Sequence, residues 1–167
     1  MKNTELEKII KDHRHWITRD CDGWESMRAV LTEADLSGAD LTGADLRDAD
    51  LKGAQNVPFI PMACPDAGEF IAWKKASGKI VKLLITDDAK RSSATGRKCR
   101  ASKAKVLSIE NKDGTDSGLD SVESYFDKNF IYRIGETVEV KGFCDDRFNE
   151  CAAGIHFFIN RQEAVDY

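Results

Sequence analysis

The sequence predicts a mainly β protein with flanking helices, an α+β fold built from two consecutive parts. Three observations lead to this prediction. Apolar residues recur every five positions across residues 29–57, a helical apolar stripe precedes them, and short alternating segments separated by turn residues follow them. We expect domains at 1–57 and 58–167, because all three prolines of the chain lie within 58–65 and indicate a junction.

Residues 4–18 are predicted to form an amphipathic helix. Thr4 and Glu7 have the spacing of a capping box, with the hydroxyl at the cap and the carboxylate three residues on. The apolar stripe has helical spacing and consists of Leu6, Ile9, Ile10, His13, Trp16 and Ile17. We interpret the stripe as a lid over the repeat that follows, and His13 as a packed or capping histidine within it.

Four consecutive copies of a five-residue unit, Ala-Asp-Leu-x-x, occupy residues 34–53, and degenerate copies flank them at 29–33 and 54–58. A helix has a period of 3.6 residues and a strand a period of 2, so neither explains leucines spaced by five. A chain that turns a corner in every unit can direct leucine and alanine inward and aspartate outward. Such units cannot bury their own faces, so the rest of the chain or another copy must cover both ends.

These units resemble the pentapeptide-repeat family over residues 29–57. The resemblance implies a right-handed quadrilateral β-helix in which four units make one coil, so the repeat would form about one and a half coils capped by the N-terminal helix. Further on, the segments 68–75, 97–101 and 151–158 resemble a domain found behind short pentapeptide repeats in phage and giant-virus proteins. That resemblance implies a viral source and a two-part layout, and it supplies no activity.

The second part is predicted to be a mixed, mainly antiparallel β domain that ends in a short helix. Strands are predicted at 69–75, 79–85, 101–110, 131–134, 137–140 and 155–159, the first two joined as a hairpin. We expect a polar, basic loop at 88–100 and a short helix around 122–126. Asn160 and Glu163 form a second cap signature, which predicts a terminal helix at 161–167.

Composition excludes some classes of protein. The chain has 167 residues, 41% hydrophobic and 32% charged, with a net charge of −4, which suffices for a folded core. It contains no apolar run of about 18 residues, so no membrane span is expected, and its N-terminal residues lack a signal-peptide core. Five scattered cysteines without a Cys-x-x-Cys motif predict reduced thiols and a cytoplasmic location, the host cytoplasm for a phage-encoded protein.

The basic stretch 88–105 is the strongest candidate for a binding site. It carries seven basic residues and one acid in a chain that is acidic overall. Guanidinium groups, hydroxyls and backbone amides suit a phosphate, although the Walker spacing is absent. The predicted ligand-binding residues are Arg91, Ser92, Ser93, Thr95, Arg97, Lys98, Arg100 and His156. The alternative is a solvated basic loop that pairs with the acidic face of the repeat, and nucleic acid is disfavoured because aromatic residues are missing and the net charge is negative.

We therefore predict a non-enzymatic phage-type protein that sequesters a small phosphate-bearing nucleotide, an immune signal of the host, in its second part. No cofactor and no metal are expected, and the repeat is the expected platform of a homo-oligomer because exposed strand edges are usually covered. The first alternative is a protein-interaction module, or a DNA-mimic-like inhibitor of a host protein, that uses the acidic repeat face. Residues 29–56 carry six acids and two bases, which fits that charge.

Two further alternatives concern the cysteines. A nucleotide-processing enzyme would use His156 with Cys151, since a thiol beside a histidine can become an activated nucleophile. No residue is assigned as catalytic, because acids at 145, 146 and 150 disfavour a thiolate. A zinc site would draw on Cys64, Cys99, Cys144, Cys151 and His156, whose spacing is unlike that of standard zinc fingers or ribbons.

Overall fold

The computed structural model describes residues 3–41 and 44–167, and the predicted repeat positions Thr42 and Gly43 lie outside them. Two α-helices are described, α1 (Asn3–Thr18) and α2 (Arg161–Asp166), with a short 3₁₀ helix at Trp24–Ser26. The strands are β1 (Phe70–Ala76), β2 (Lys79–Ile85), β3 (Arg91–Ser93), β4 (Cys99–Ala101), β5 (Lys103–Glu110), β6 (Ser121–Glu123), β7 (Ile131–Arg133), β8 (Thr137–Glu139) and β9 (Ile155–Phe157). Within the described ranges, no helix has the length and apolar character needed to cross a bilayer.

Helix α1 covers the repeat. Leu6 is buried, and Ile9 and Ile10 pack with it against the repeat leucines in one apolar cluster, which confirms the predicted lid. The imidazole of His13 is fully buried. Its Nδ1 accepts the amide of Ala29 at 3.1 Å, and its Nε2 lies 3.0 Å from the carbonyl of Arg47, so the ring contacts both ends of the segment 29–47. Thr4 lies inside the first turn, so the predicted cap position is wrong by at least one residue.

Each repeat unit closes one turn. The carbonyl of a unit's leucine accepts the amide of the alanine three residues later, as from Ala49 to Leu46 at 3.0 Å, and the same bond recurs at Leu31, Leu36, Leu41 and Leu51. The residue before the alanine has φ near +60°, at Glu33, Gly38, Asp48 and Gly53. A turn with positive φ at its third residue favours glycine, because a Cβ at that φ crowds the backbone of the residue itself and of its chain neighbours. This explains the glycines at the last position of the units.

Residues twenty positions apart pair with one another in the repeat. Val30 and Asp50 form a parallel bridge, and so do Asp35 and Gln55. The amide of Leu31 donates to the carbonyl of Asp50 at 2.7 Å, one of several such bonds between the two layers. Twenty residues are four units, so four units bring the chain back alongside its start.

Replacing Gly38 by alanine should lower the free energy of unfolding by about 1–2 kcal/mol, since an L-residue with φ of +66° is strained by roughly that amount. Outside Gly38 and its two chain neighbours, a Cβ there would meet no atom within 4 Å, so the effect isolates local backbone strain from overlap with the rest of the protein. Lys52→Ala, an exposed position in another turn, is the matched control and should change stability by less than about 0.5 kcal/mol. Equal urea midpoints for the two variants would contradict the turn assignment.

The second part consists of antiparallel sheets. A four-stranded sheet has the order β1-β2-β5-β8, a three-stranded sheet the order β3-β4-β9, and β6 pairs with β7. The predicted hairpin of β1 and β2 is confirmed, with Ser77 and Gly78 at positive φ in its turn. The other predicted strands are confirmed to within a few residues, and Asn160 caps α2 by accepting the amide of Gln162 at 2.8 Å.

Two predictions about local structure are wrong. The stretch 88–100, predicted as a loop, contains β3 and β4, whose residues are polar in sequence yet mostly buried. The segment predicted as a helix around 122–126 begins with β6, where Val122 lies opposite Tyr132 of β7 and both are buried. Strands of three residues are too short to show a period, so their pairing partners decide the structure.

Contacts join the sheets and the repeat. The amide and carbonyl of Trp73 bond to the carbonyl and amide of Phe158 at 2.8 Å, which links the four-stranded sheet to the chain after β9. The hydroxyl of Thr95 donates to the carbonyl of Ala49 at 2.9 Å, and Phe148 packs against the apolar cluster of the repeat. The repeat is therefore covered by α1 and by the turn after β3.

Candidate functional site

Most of the predicted ligand-binding residues make hydrogen bonds within the protein. The guanidinium of Arg91 donates to the carbonyls of Gly68, Thr86 and Asp87 at 2.6 to 2.9 Å and holds the turn before β3. The hydroxyl of Ser93 accepts the amide of Ala63 at 2.8 Å. Together with the bond from Thr95 to the repeat, these contacts assign three of the predicted residues to structural roles.

Arg100 is a buried cation in β4, with only 2% of its surface exposed. Its guanidinium donates to the carbonyls of Cys144, Ala153 and Asp146 at 2.9 to 3.2 Å and to the hydroxyl of Ser92 at 3.3 Å. Over the described ranges no carboxylate lies at ion-pair distance from Arg100. The side chain ties the segment 144–153 to β4 through neutral groups.

Arg97 and Lys98 lie nearer the surface. Arg97 Nε pairs with Glu163 at 2.8 Å, and Lys98 Nζ lies 3.6 Å from a carboxylate oxygen of Glu150. Burial acts to lower the pKa of Lys98, but Glu150 and Tyr167 outweigh it and the pKa is raised. The predicted pairing of the basic stretch with the repeat acids is replaced here by pairing with acids of the second part.

The structure brings His156 together with two of the predicted cations. The register of β4 and β9 places Arg100 opposite His156. Burial first, then the nearby charges of Lys74, Lys98 and Arg100, lower the pKa of His156 to about 4. The imidazole is therefore neutral at pH 7, and its Nε2 lies 3.0 Å from the carbonyl of Glu150, to which it donates. We call Lys74, Lys98, Arg100 and His156 the cationic cluster.

Lys74 is the member of the cationic cluster that sequence reasoning missed. It lies on β1 between two fully buried alanines of the core-facing side, Ala72 and Ala76. Its ammonium donates to the carbonyl of His156 at 3.3 Å and lies 5.7 Å from the ring centroid of Tyr132. Burial lowers the pKa of Lys74 to about 8 and raises the pKa of Tyr132.

The sequence feature that indicates Lys74 is a lysine at an inward-facing position of a predicted strand. Residues of one strand face share parity, so Lys74 shares a side with Phe70, Ala72 and Ala76, all of which contribute to the core. Within the described part of the chain no carboxylate lies at ion-pair distance from Lys74. A buried charge without a counter-charge is costly, and such groups concentrate at functional sites.

The cysteines do not form the alternative sites. Cys151 is exposed with its sulfur 3.8 Å from Lys98 Nζ, while His156 uses its Nε2 for the carbonyl of Glu150, so the observed neighbour of the thiol is a cation. Cys64 and Cys99 are buried in the core, and all five cysteines are free. In the described ranges no three of the residues predicted as zinc ligands bring their donor atoms together at metal-binding distances.

The repeat aspartates serve the fold. The carboxylates of Asp35, Asp45 and Asp50 each accept the amide two residues on, at 2.9 to 3.1 Å. This is the Asx turn, in which a short side chain fixes its own backbone. Hydrogen bonds from Ser37 and Asn56 lower the pKa of Asp35 to about 2. These acids hold the corners of the repeat.

Two clefts lie beside α1. A cleft of about 560 Å³ is lined by residues of both α1 and the repeat, and a second cleft of about 360 Å³ is lined by residues 19–25. Neither is lined by the cationic cluster. The larger cleft has compensated charge, such as Arg47 paired with Asp45, so the cationic cluster is the stronger candidate for recognising a charged ligand.

Comparisons with known proteins separate the two parts of the chain. The model of a family of unknown function, DUF5758, matches residues 60–164, which is more than half of the 167 residues and contains the whole cationic cluster. A model that describes eight copies of the pentapeptide repeat matches residues 27–55. No curated protein and no solved structure matches the chain. The matches confirm a pentapeptide-repeat region followed by a domain without an assigned activity.

Proposed function

The chain belongs to the family of unknown function DUF5758 and carries pentapeptide repeats before that domain, and we propose that it is a non-enzymatic binding protein that holds a small phosphate-bearing nucleotide at the cationic cluster. The observation that supports this most is Lys74, a core-facing ammonium without a carboxylate partner among the described residues. In the predicted setting, binding lowers the free concentration of a nucleotide signal of the host.

The proposal assigns the repeat a supporting role. We propose that residues 29–57 form about one and a half coils of a right-handed quadrilateral β-helix. Support comes from the turn in each five-residue unit and from the parallel bridges between residues twenty positions apart. Helix α1 on one side and Phe148 and Thr95 on another contact this platform, which positions the second part.

The charge of the cationic cluster favours an anion. Lys74 and Arg100 lie within the protein without a carboxylate at ion-pair distance in the described residues, and Lys98, which is paired with Glu150, lies near His156 as well. Keeping such charges out of water costs free energy that a bound phosphate would recover through direct pairing with an ammonium. The neutral His156 adds a hydrogen-bonding ring without further charge.

The same geometry favours binding over turnover. A thiol activated by histidine requires the imidazole within hydrogen-bond reach of its sulfur. Here Cys151 faces Lys98, and the imidazole of His156 is bonded to the carbonyl of Glu150. Three of the six repeat acids, Asp35, Asp45 and Asp50, hold Asx turns, which gives them a structural role without a ligand.

Calorimetry should detect binding of a phosphate-bearing nucleotide, with ADP, ADP-ribose, a cyclic dinucleotide and pyrophosphate as probes. Lys74→Met removes the central ammonium and should weaken the bound probe at least tenfold, since a charged hydrogen bond contributes about 1.5–3 kcal/mol. Lys105→Met, an exposed lysine of β5 outside the cluster, is the control and should bind as the unchanged protein does.

Three results of this experiment would overturn the proposal. They are no binding of any probe, equal affinity of the Lys74→Met protein, and recovery of the probe in an altered form after denaturation. Native mass spectrometry of the same preparation counts subunits and checks the expected homo-oligomer.

A further inference from the structure

The connection between α1 and the repeat brings four potential metal ligands together from separate positions. Helix α1 ends at Thr18, and Arg19 takes a left-handed conformation with φ of 54° while its amide bonds to the carbonyl of His15 at 2.7 Å. This reversal of the chain places Asp20 and Cys21 beside the last turn of α1.

A second reversal brings a thioether to the same place. Gly23 has φ of 77° and starts the 3₁₀ helix, whose last bond joins the amide of Met27 to the carbonyl of Trp24 at 2.9 Å. The sulfur of Met27 then lies 3.8 Å from the sulfur of Cys21. Two turns, both independent of the cationic cluster, are needed to produce this arrangement.

The donor atoms are close enough to share one ion. Nδ1 of His15 lies 2.6 Å from Oδ1 of Asp20, and the donor atoms of His15, Asp20 and Cys21 all lie within 4.8 Å of one another. In a tetrahedral zinc site with bonds of about 2.0–2.3 Å, donor atoms lie roughly 3.3–3.8 Å apart. The distance of 2.6 Å lies below that spacing and the 4.8 Å upper limit lies above it, so side-chain rotations can bring the three donor atoms onto one ion.

The chemistry of the donors selects the class of metal. Imidazole nitrogen, thiolate sulfur and carboxylate oxygen are the three ligand types of zinc. The adjacent thioether of Met27 is a further sulfur atom, a soft donor of the kind that favours zinc over magnesium or calcium. Asp20, Asp22 and Glu25 lie within four residues of Cys21 in the chain, and their negative charge favours the approach of a cation. The cleft lined by residues 19–25 opens beside it and gives an ion access.

From these observations we propose that His15, Asp20 and Cys21 bind one zinc-class divalent ion. A dication balances one carboxylate and one thiolate, so the loaded site is neutral. Because its ligands join the last turn of α1 to residues 20 and 21, the ion fixes the lid helix to the connection that leads into the repeat. The ion is thus structural and has no part in binding at the cationic cluster.

Cobalt(II) titration of the metal-free, reduced protein tests this site. We expect one equivalent to bind, with a thiolate-to-cobalt band in the near ultraviolet and visible bands of tetrahedral intensity, and zinc should displace the cobalt. Cys21→Ser should abolish the thiolate band. Cys21→Ser should also reduce the affinity for cobalt. The reduction should exceed the roughly 10–100-fold that follows from loss of a residue that only orients a metal ligand.

Two further variants keep the test decisive. Cys151→Ser removes an exposed thiol elsewhere and should leave the spectrum and affinity unchanged. Asp20→Asn alters an exposed carboxylate without disturbing the core and should lower affinity at least tenfold even if the Cys21→Ser protein folds poorly. A protein that binds no cobalt, or whose thiolate band disappears with Cys151→Ser and persists with Cys21→Ser, would overturn the proposal.

Discussion

Replacing Lys74 by methionine should make the protein more stable at pH 7, by about 2 kcal/mol. Burial lowers the pKa of Lys74 from its usual 10.5 to about 8, and a difference of about 2.5 units corresponds to a cost of roughly 3 kcal/mol for keeping the ammonium charged in the folded state. Methionine fills the same space without charge. The lost bond to the carbonyl of His156 offsets about 1 kcal/mol of the gain.

The gain should depend on pH in a defined direction. Between pH 8 and pH 10.5 the unfolded chain keeps the Lys74 proton while the folded protein releases it, so this lysine makes wild-type stability rise with pH across that window. The advantage of Lys74→Met should therefore be complete below pH 8 and should decrease through that window, until near pH 10.5 only the effect of the lost hydrogen bond remains. Urea unfolding of both proteins at pH 7, 8.5 and 10 measures the difference, from which titrations common to both proteins cancel.

Lys105→Met is the control for the loss of a lysine as such. Its side chain is exposed on β5, so the change should stay within about 0.5 kcal/mol at every pH. If Lys74→Met lost more than about 1 kcal/mol at pH 7, Lys74 would be a structural residue, and the argument for an anion site at the cationic cluster would fail. A stabilised protein that no longer binds its ligand is the expected trade-off at a functional site.

The repeat was predictable because its information is local. Each unit closes its own turn, from Leu46 to Ala49 for example, so a five-residue pattern specifies the backbone without distant partners. The β1–β2 hairpin was predictable for the same reason, since Ser77 and Gly78 set a short turn between two apolar strands. The sequence also indicated His13 as a buried capping group, because it lies on the apolar stripe of α1.

The cationic cluster could not be predicted in full because its members meet through pairings distant in sequence. β4 reaches β9 across more than fifty residues, and Lys74 approaches His156 from a third strand. Charge counting found the basic stretch but could not show that Arg91 would bond to carbonyls of a neighbouring turn. Only the fold distinguishes a guanidinium that holds a loop from one that is free for a ligand.

Arg100→Met should be strongly destabilising, with a loss of about 3 kcal/mol in the free energy of unfolding. The guanidinium satisfies the carbonyls of Cys144, Asp146 and Ala153, and methionine would leave them without this donor. Each buried acceptor without a partner costs about 1–3 kcal/mol, and water entering the site should recover part of the total cost for the three carbonyls. The loss should concentrate at 144–153, where amide hydrogen exchange would show faster opening than in the β1–β2 hairpin.

Arg97→Met separates this effect from loss of positive charge in the same stretch. Arg97 is three residues away and its side chain is 61% exposed, so its ion pair with Glu163 should contribute at most about 1 kcal/mol. Arg100→Lys keeps the charge but not the planar fork that reaches several carbonyls at once, so it should fall between the two. If Arg100→Met and Arg97→Met unfolded at the same urea concentration, the segment 144–153 would have to be held by other contacts. The buried charge of Arg100 would then cost free energy of folding without stabilising the segment 144–153. That result would favour a ligand that pairs with the guanidinium.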